Sequence, residues 1–315
     1  MSRQALIVDC DPGVDDAVAL MLAFGSSELD LLAVTTVGGN APLKKTTRNA
    51  LMLRQIAGRE DVPVHAGAER PLRRKPAGAG AFHGEEGLGF MTPFPTTRLV
   101  ADGHGVDAIL NAVAAREPGT VALAVLGPMT NLALALRREP MLARRLGPVA
   151  IMGGARGEGG NITASAEFNV WADPEAADEV MRSGLPVTLF GLDATHQVRA
   201  TDARIAAVAG LQTPMAETAA AMMRFSQTVE REIVGGEAPP VHDLCPVAWL
   251  ARPDLFERAP CRIQIETGSE LTRGHTAVEF RAGVAGSLPH HWAVSADADG
   301  VFDLLTAAVG TNRTI

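Results

Sequence analysis

Tyrosine is absent from the 315 residues, and aromatic side chains make up only 4% of them. That removes the phenol, as general acid and as hydrogen-bond donor, from any site this chain builds. Cysteine occurs three times, at Cys10, Cys245 and Cys261, without CxxC spacing. An odd, scattered set supports neither a disulfide framework nor a thiolate zinc site; it fits a reducing compartment, with the thiols as small buried hydrophobes. Lysine is confined to Lys44, Lys45 and Lys75. Positive charge as a whole is in deficit, 28 Lys+Arg against 36 Asp+Glu for a net charge of −8, which argues against a nucleic-acid partner. Long hydrophobic runs are also missing. Met1-Ser2-Arg3-Gln4 passes into a short apolar run that ends in acidic residues, so neither a secretory signal nor a membrane span is expected, and the expected location is cytoplasmic.

What is present is a chain able to bury a large core, at 47% hydrophobic and 20% charged residues. Short β-branched runs alternate with Ala-rich amphipathic segments, the pattern of βαβ units and a mostly parallel sheet. Strands are expected near 5–10, 31–37, 62–66, 121–126, 149–152 and 186–190, with helices near 15–25, 43–57, 106–116, 129–138 and 174–182 between them. A helical elaboration follows near 214–232, then strands near 262–266, 276–281 and 291–296 and a closing helix near 301–309. No linker divides the chain. The expected fold is a single α/β domain over 1–315, an open Rossmann-like sheet flanked by helices, with a C-terminal β-hairpin. Two long loops, 70–98 and 153–169, start at strand ends, where open α/β sheets bind ligands.

The strongest chemical signal is Asp9-Cys10-Asp11-Pro12-Gly13-Val14-Asp15-Asp16, four carboxylates at the exit of the first strand. Helix capping accounts for one or two of these acids; four in so short a span call for a cation, and an all-oxygen set selects a hard divalent one. His242-Asp243 offers a further carboxylate beside an imidazole whose ordinary pKa suits proton donation near neutrality. Gly127-Pro128-Met129-Thr130-Asn131 places strand-end carbonyls nearby, although by itself it reads as a turn, as do Gly38-Gly39-Asn40 and Met152-Gly153-Gly154. His65, His104, His196, His275, His290 and His291 lack acidic or ligand spacing and read as packing or surface residues. Met222-Met223 reads as core, and the basic run Arg70-Pro71-Leu72-Arg73-Arg74-Lys75 as a solvated loop or subunit contact.

Taken in order, these motifs together with His83-Gly84 and Glu167-Phe168-Asn169 resemble the calcium-dependent nucleoside hydrolases, also called inosine-uridine preferring or ribonucleoside hydrolases. The resemblance spans nearly the whole chain. It implies hydrolysis of the N-glycosidic bond of a small-molecule ribonucleoside to free base and ribose. It implies Ca²⁺ held by Asp11, Asp16, the Leu126 carbonyl and Asp243, with Asp11 as general base toward the metal-bound water. Asp15, Asn40, Asn161, Glu167 and Asn169 would grip the ribose hydroxyls, with Met152 and Phe168 packing on the sugar. His242 would protonate the leaving base, with His83 a second candidate near the base. A homotetramer or homodimer is implied as well. Some members of the family direct tyrosines at the base from the helix near 225–232; here Phe225, Gln227 or Arg231 would have to fill that space, and base preference stays open.

Two other functions compete. A Mg²⁺-dependent phosphohydrolase of the haloacid dehalogenase type also opens with Asp-x-Asp at a strand end, but it needs a downstream lysine, and none of the three stands in a fitting motif. A nucleoside-binding module without turnover would be expected to have lost the base or a metal ligand, whereas Asp11, Asp16 and Asp243 are all present.

Overall fold

In the computed structural model, which describes residues 3–311, the chain alternates strand and helix from β1 onward. The strands are β1 Gln4–Cys10, β2 Leu29–Thr36, β3 Val64–Ala66, β4 Val121–Val125, β5 Val149–Met152, β6 Thr188–Phe190, β7 Phe256–Ile265, β8 Thr276–Glu279 and β9 His290–Ala296. They form one nine-stranded sheet in the order β3-β2-β1-β4-β5-β6-β9-β7-β8. From β3 to β9 every pairing is parallel; β7 pairs antiparallel with both β9 and β8. β7 and β8 are therefore the hairpin expected near the C-terminus, and they close one edge of the sheet.

The longer helices are α1 Val14–Gly25, α2 Leu43–Ile56, α3 Gly105–Ala114, α4 Thr130–Arg138, α5 Pro174–Arg182, α6 Asp202–Ala209, α7 Pro214–Val229, α8 Leu244–Ala251 and α9 Ala298–Val309. β1 and β4 are buried on both faces, which is why they read as continuous apolar runs. Alternate residues feed two cores: Leu6, Val8 and Ala124 pack with α1, α2, α7, α8 and α9, whereas Ile7, Leu123 and Val125 pack with α3, α4 and α5. The chain runs outward through β2 and β3, then crosses back to place β4 on the other side of β1. That reversal puts a crevice beyond the carboxyl ends of β1 and β4, the switch point at which ligands bind in such sheets.

Several elements depart from the sequence expectations. β7 begins at Phe256 rather than near 262, because its first half carries Glu257, Arg258 and Pro260 and is largely exposed, so no apolar alternation announces it. The helix expected over 214–232 is α-helical only to Val229; Glu230–Val234 widens into a π turn that Gly235 ends in the left-handed conformation. α6 and α8 are absent from the sequence expectations. α8, Leu-Cys-Pro-Val-Ala-Trp-Leu-Ala, is buried almost all round and has no polar face to show a period. Among the described residues no helix is long and apolar enough to cross a membrane.

Candidate active site

β1 sets the register of the site. Asp9, opposite Thr35 of β2 and Val125 of β4, turns toward α4, the opposite face from Cys10. Its Oδ1 accepts from Thr35 Oγ1 at 2.6 Å and Asn131 Nδ2 at 2.7 Å. Asn131 also donates to the Thr36 carbonyl at 3.1 Å and accepts from Ala68 N–H at 2.8 Å, so it stitches strand ends together. Burial pushes Asp9 up to about 7 despite these two donors. The sequence counted Asp9 with the other three acids; its place in the structure is the support beneath the site.

The remaining acids converge where β1 meets α1. Asp16 Oδ1 accepts Asp11 N–H at 3.1 Å, and its Oδ2 accepts Gly13 N–H at 2.9 Å and Asn40 Nδ2 at 3.1 Å. Asn40 N–H donates to Asp11 Oδ2 at 2.6 Å, a short charge-assisted bond. Asp11 Oδ1 and Asp15 Oδ1 are buried with no hydrogen-bond partner. A Cβ on Gly39 would overlap Asp11 Oδ2, and one on Gly127 would overlap Asp11 Oδ1, so two glycine walls leave the carboxylate one orientation. Carboxylate oxygens of Asp15, Asp16 and Asp243 all lie within 4.8 Å of one another.

Burial, reinforced by mutual repulsion, pushes Asp11 and Asp243 well above the usual carboxylate range and lifts Asp16 to about 6, and burial alone raises Asp15. The clustered oxygens of Asp15, Asp16 and Asp243, the orphan oxygens of Asp11 and Asp15, and the lack of any ion pair from these acids to lysine or arginine among the described residues make a donor set that fits a hard cation. The Leu126 carbonyl, at the exit of β4, accepts Asn169 Nδ2 at 2.6 Å.

Above this cluster opens a cavity of about 400 Å³. Asp15, Asn40, His83, Leu126, Met152, Asn161, Glu167, Phe168, Asn169, His242 and Asp243 all line it, while Asp11 and Asp16 lie fully buried beneath. Glu167 caps the helical turn Phe168–Ala172: its carboxylate accepts from Asn169 N–H at 2.9 Å, Gly154 N–H at 3.0 Å and Val170 N–H at 3.2 Å. Burial still lifts it to about 7. Asn161 Oδ1 accepts Phe168 N–H at 2.9 Å and fixes the loop above. Asn169 commits its Nδ2 to the Leu126 and Met152 carbonyls, which leaves its Oδ1 to present to a ligand.

The histidines revise the sequence reading. His83 stands beside the acids, with Nδ1 accepting Val14 N–H at 3.2 Å and lying 3.8 Å from Asp15 Oδ1; burial pulls it down to about 4. His242 does not titrate near neutrality, because burial, with help from nearby His196, His83 and Arg199, pulls it down to about 3. Its Nδ1 is 2.8 Å from Thr195 Oγ1. A hydroxyl donating there makes Nδ1 the acceptor and leaves Nε2 carrying the hydrogen.

His196, read from sequence as a packing or surface residue, lines the cavity with its ring 5.6 Å from that of His242 and its Nδ1 2.9 Å from Glu158. Its position at the exit of β6 was the signal available. On α7 the face that meets the cavity is Ser226, Val229 and Glu230. Phe225 instead packs edge-on against Phe90, Gln227 donates to Asp202 and to the Glu237 carbonyl, and Arg231 pairs with Asp202.

A Rossmann-like sheet with an aspartate cluster at its switch point and a cavity above it has the form of a metal-assisted hydrolase site. Residues 6–303 match the family model for inosine-uridine preferring nucleoside hydrolase, and the chain belongs to that family. It is a ribonucleoside N-glycosidase. Among its relatives, the inosine-uridine preferring nucleoside hydrolase of Crithidia fasciculata is 41% identical over 277 residues, 88% of each chain. The pyrimidine-specific ribonucleoside hydrolase RihA of Photobacterium profundum is 42% identical over 282 residues, 89% of each. A solved plant nucleoside hydrolase superposes with a TM-score of 0.93 at 32% identity, covering 98% of this chain and 100% of that one.

Proposed function

We propose that this chain cleaves ribonucleosides with Ca²⁺ held by Asp11, Asp16 and Asp243 together with the Leu126 carbonyl, and with Asp15 between that cluster and the ribose. The observation that carries this is the orphan oxygen pair, Asp11 Oδ1 and Asp15 Oδ1, buried at the floor of the cavity. When bound, the cation neutralises the acidic cluster and acidifies nearby water. Asp11, held by Asn40 N–H through Oδ2, takes the proton of the attacking water through its unpartnered Oδ1. As the C–N bond lengthens, positive charge grows on the ribose ring, and Glu167 and the Asn169 amide oxygen face it.

The base leaves with the bonding pair. His242, neutral at physiological pH, meets that developing charge through Nε2–H, with Thr195 fixing the tautomer. Asn40, Asn161, Met152 and Phe168 complete the ribose pocket, and His83 buttresses Asp15. The haloacid dehalogenase reading gains no support, since the cavity lining contains no lysine. Three free, buried cysteines support a cytoplasmic setting, and family membership supports a homodimer or homotetramer, which light scattering after gel filtration would measure.

The test is reducing-sugar release from inosine, uridine, cytidine, adenosine and guanosine, with and without a calcium chelator. Release that stops with chelator and returns with Ca²⁺ is expected. Release indifferent to chelator would sink the metal assignment, and phosphate release from phosphate esters would favour the alternative enzyme.

A further inference from the structure

The cavity wall at the end of α7 carries a carboxylate that the hydrolysis step does not use. Glu230, where α7 widens into the π turn, lines the cavity at 9% exposure. Its carboxylate accepts no hydrogen bond among the described residues; the nearest cation is Arg199, Nη1 to Oε1, at 3.6 Å. Arg199 is itself held, donating to the Ala238 carbonyl at 2.8 Å and bridging backbone to backbone with Pro240. The seat of the carboxylate is built as well. Gly235 and Gly236 N–H both donate to the Glu230 carbonyl, at 2.8 and 3.2 Å, and a Cβ on Gly236 would overlap Glu230 Oε1.

A carboxylate that lines the cavity and carries no hydrogen bond from the described residues is free to accept donors from a ligand. Resting on the nucleosidase reading, we infer that Glu230 and Arg199 read the outer edge of the base and select a 2-amino-6-oxopurine, so that guanosine is the preferred substrate. The guanine edge presents, in order, a 2-amino N–H, a ring N1–H and a 6-carbonyl. Two adjacent donors match the two oxygens of Glu230, and the carbonyl matches the neighbouring guanidinium. Hypoxanthine and uracil offer the carboxylate one N–H instead of two. Adenine and cytosine turn an unprotonated ring nitrogen toward it and are disfavoured. With tyrosine absent from the chain, no phenol competes for this edge.

Steady-state kcat/KM for guanosine and inosine, which differ only in the 2-amino group, tests the inference in the wild type, Glu230→Gln and Gly236→Ala. Guanosine is expected to lead in the wild type, by about 10-fold or more. Both variants should bring the guanosine:inosine ratio toward one, Gln by removing charge and an acceptor oxygen, Ala at 236 by displacing the carboxylate. A ratio near one in the wild type, or an unchanged ratio in active Glu230→Gln, overturns the assignment. Calorimetric binding of 9-methylguanine and 9-methylhypoxanthine separates this from the parent reading. If the wild type prefers 9-methylguanine and the variants do not, Glu230 reads the base even if no nucleoside is hydrolysed; equal affinities in the wild type remove the role whatever the turnover.

Discussion

Gly39→Ala puts a methyl group against the Asp11 carboxylate and alters no functional group. The Gly39 backbone lies outside the left-handed region, so alanine adds no conformational strain; its Cβ would overlap Asp11 Oδ2 and crowd Pro128. The backbone of Gly127 stands close on the other side, where even a Cβ would overlap Asp11 Oδ1, so Asp11 has little room to retreat. The carboxylate must therefore turn, breaking the 2.6 Å bond from Asn40 N–H. A lost charge-assisted hydrogen bond of ~1.5–3 kcal/mol gives a floor of about 10- to 100-fold in rate. If the carboxylate also leaves the position from which it takes a proton, the loss grows to about 10²–10⁴-fold. Overpacking adds ~1–3 kcal/mol to the cost of folding and lowers Tm by several degrees. The assay is ribose release from inosine and uridine at saturating Ca²⁺, with circular dichroism and Ca²⁺ titration on the same preparation. A folded Gly39→Ala enzyme with wild-type rate and Ca²⁺ affinity would refute the geometric account of Asp11.

Three further outcomes are expected. Asp11, Asp16 and Asp243 are raised acids, protonated at low pH, so Ca²⁺ competes with protons; its affinity should fall as pH drops through about 6, and binding near that pH should release protons, measurable by calorimetry in two buffers of different ionisation enthalpy. An affinity flat from pH 8 to 5 would contradict the cluster as the site. Thr195→Val removes the hydroxyl that sets the His242 tautomer and should lower kcat about 10- to 100-fold with little change in KM, while leaving good leaving groups such as p-nitrophenyl riboside nearly unaffected; equal losses on both substrates would argue for a structural defect. If Asp15 reads the 2′-hydroxyl, deoxyuridine should be hydrolysed at least ~100-fold more slowly than uridine, since a buried polar group left unpaired rejects the analogue strongly; comparable rates would remove that contact.

The sheet and the acidic floor were legible because their signals are local. A buried parallel strand is a run of apolar residues, and four acids at its exit have few reasons to coexist. Asn40, Glu167 and Asn169 were placed by motif, and the structure supplies the physical reason for each: Asn40 donates to the acids through backbone and amide, Glu167 caps the following turn, and Asn169 ties that turn to the exits of β4 and β5. The base end was not legible. Which face of α7 meets the cavity depends on packing against Phe90 and Asp202, contacts distant in sequence, so the expectation of Phe225, Gln227 or Arg231 misses the residues that line it, Ser226, Val229 and Glu230. The π turn that aims Glu230 leaves no periodic signature. His196 looked isolated because its partners, Glu158 and His242, come from other loops.

The cavity has two kinds of wall. One wall stands on the exits of β1, β2, β4 and β5, where Asn40, Leu126 and Met152 line the cavity above the buried Asp11. Another wall is furnished by the end of α7 and by Arg199, Pro239 and Pro240, which lie outside the sheet. On the proposed reading, substitutions at Ser226, Val229 or Glu230 alter which base is accepted without disturbing the acidic cluster. Bond cleavage and choice of base would then be separately heritable traits, and a lineage could change its diet of nucleosides while keeping its chemistry.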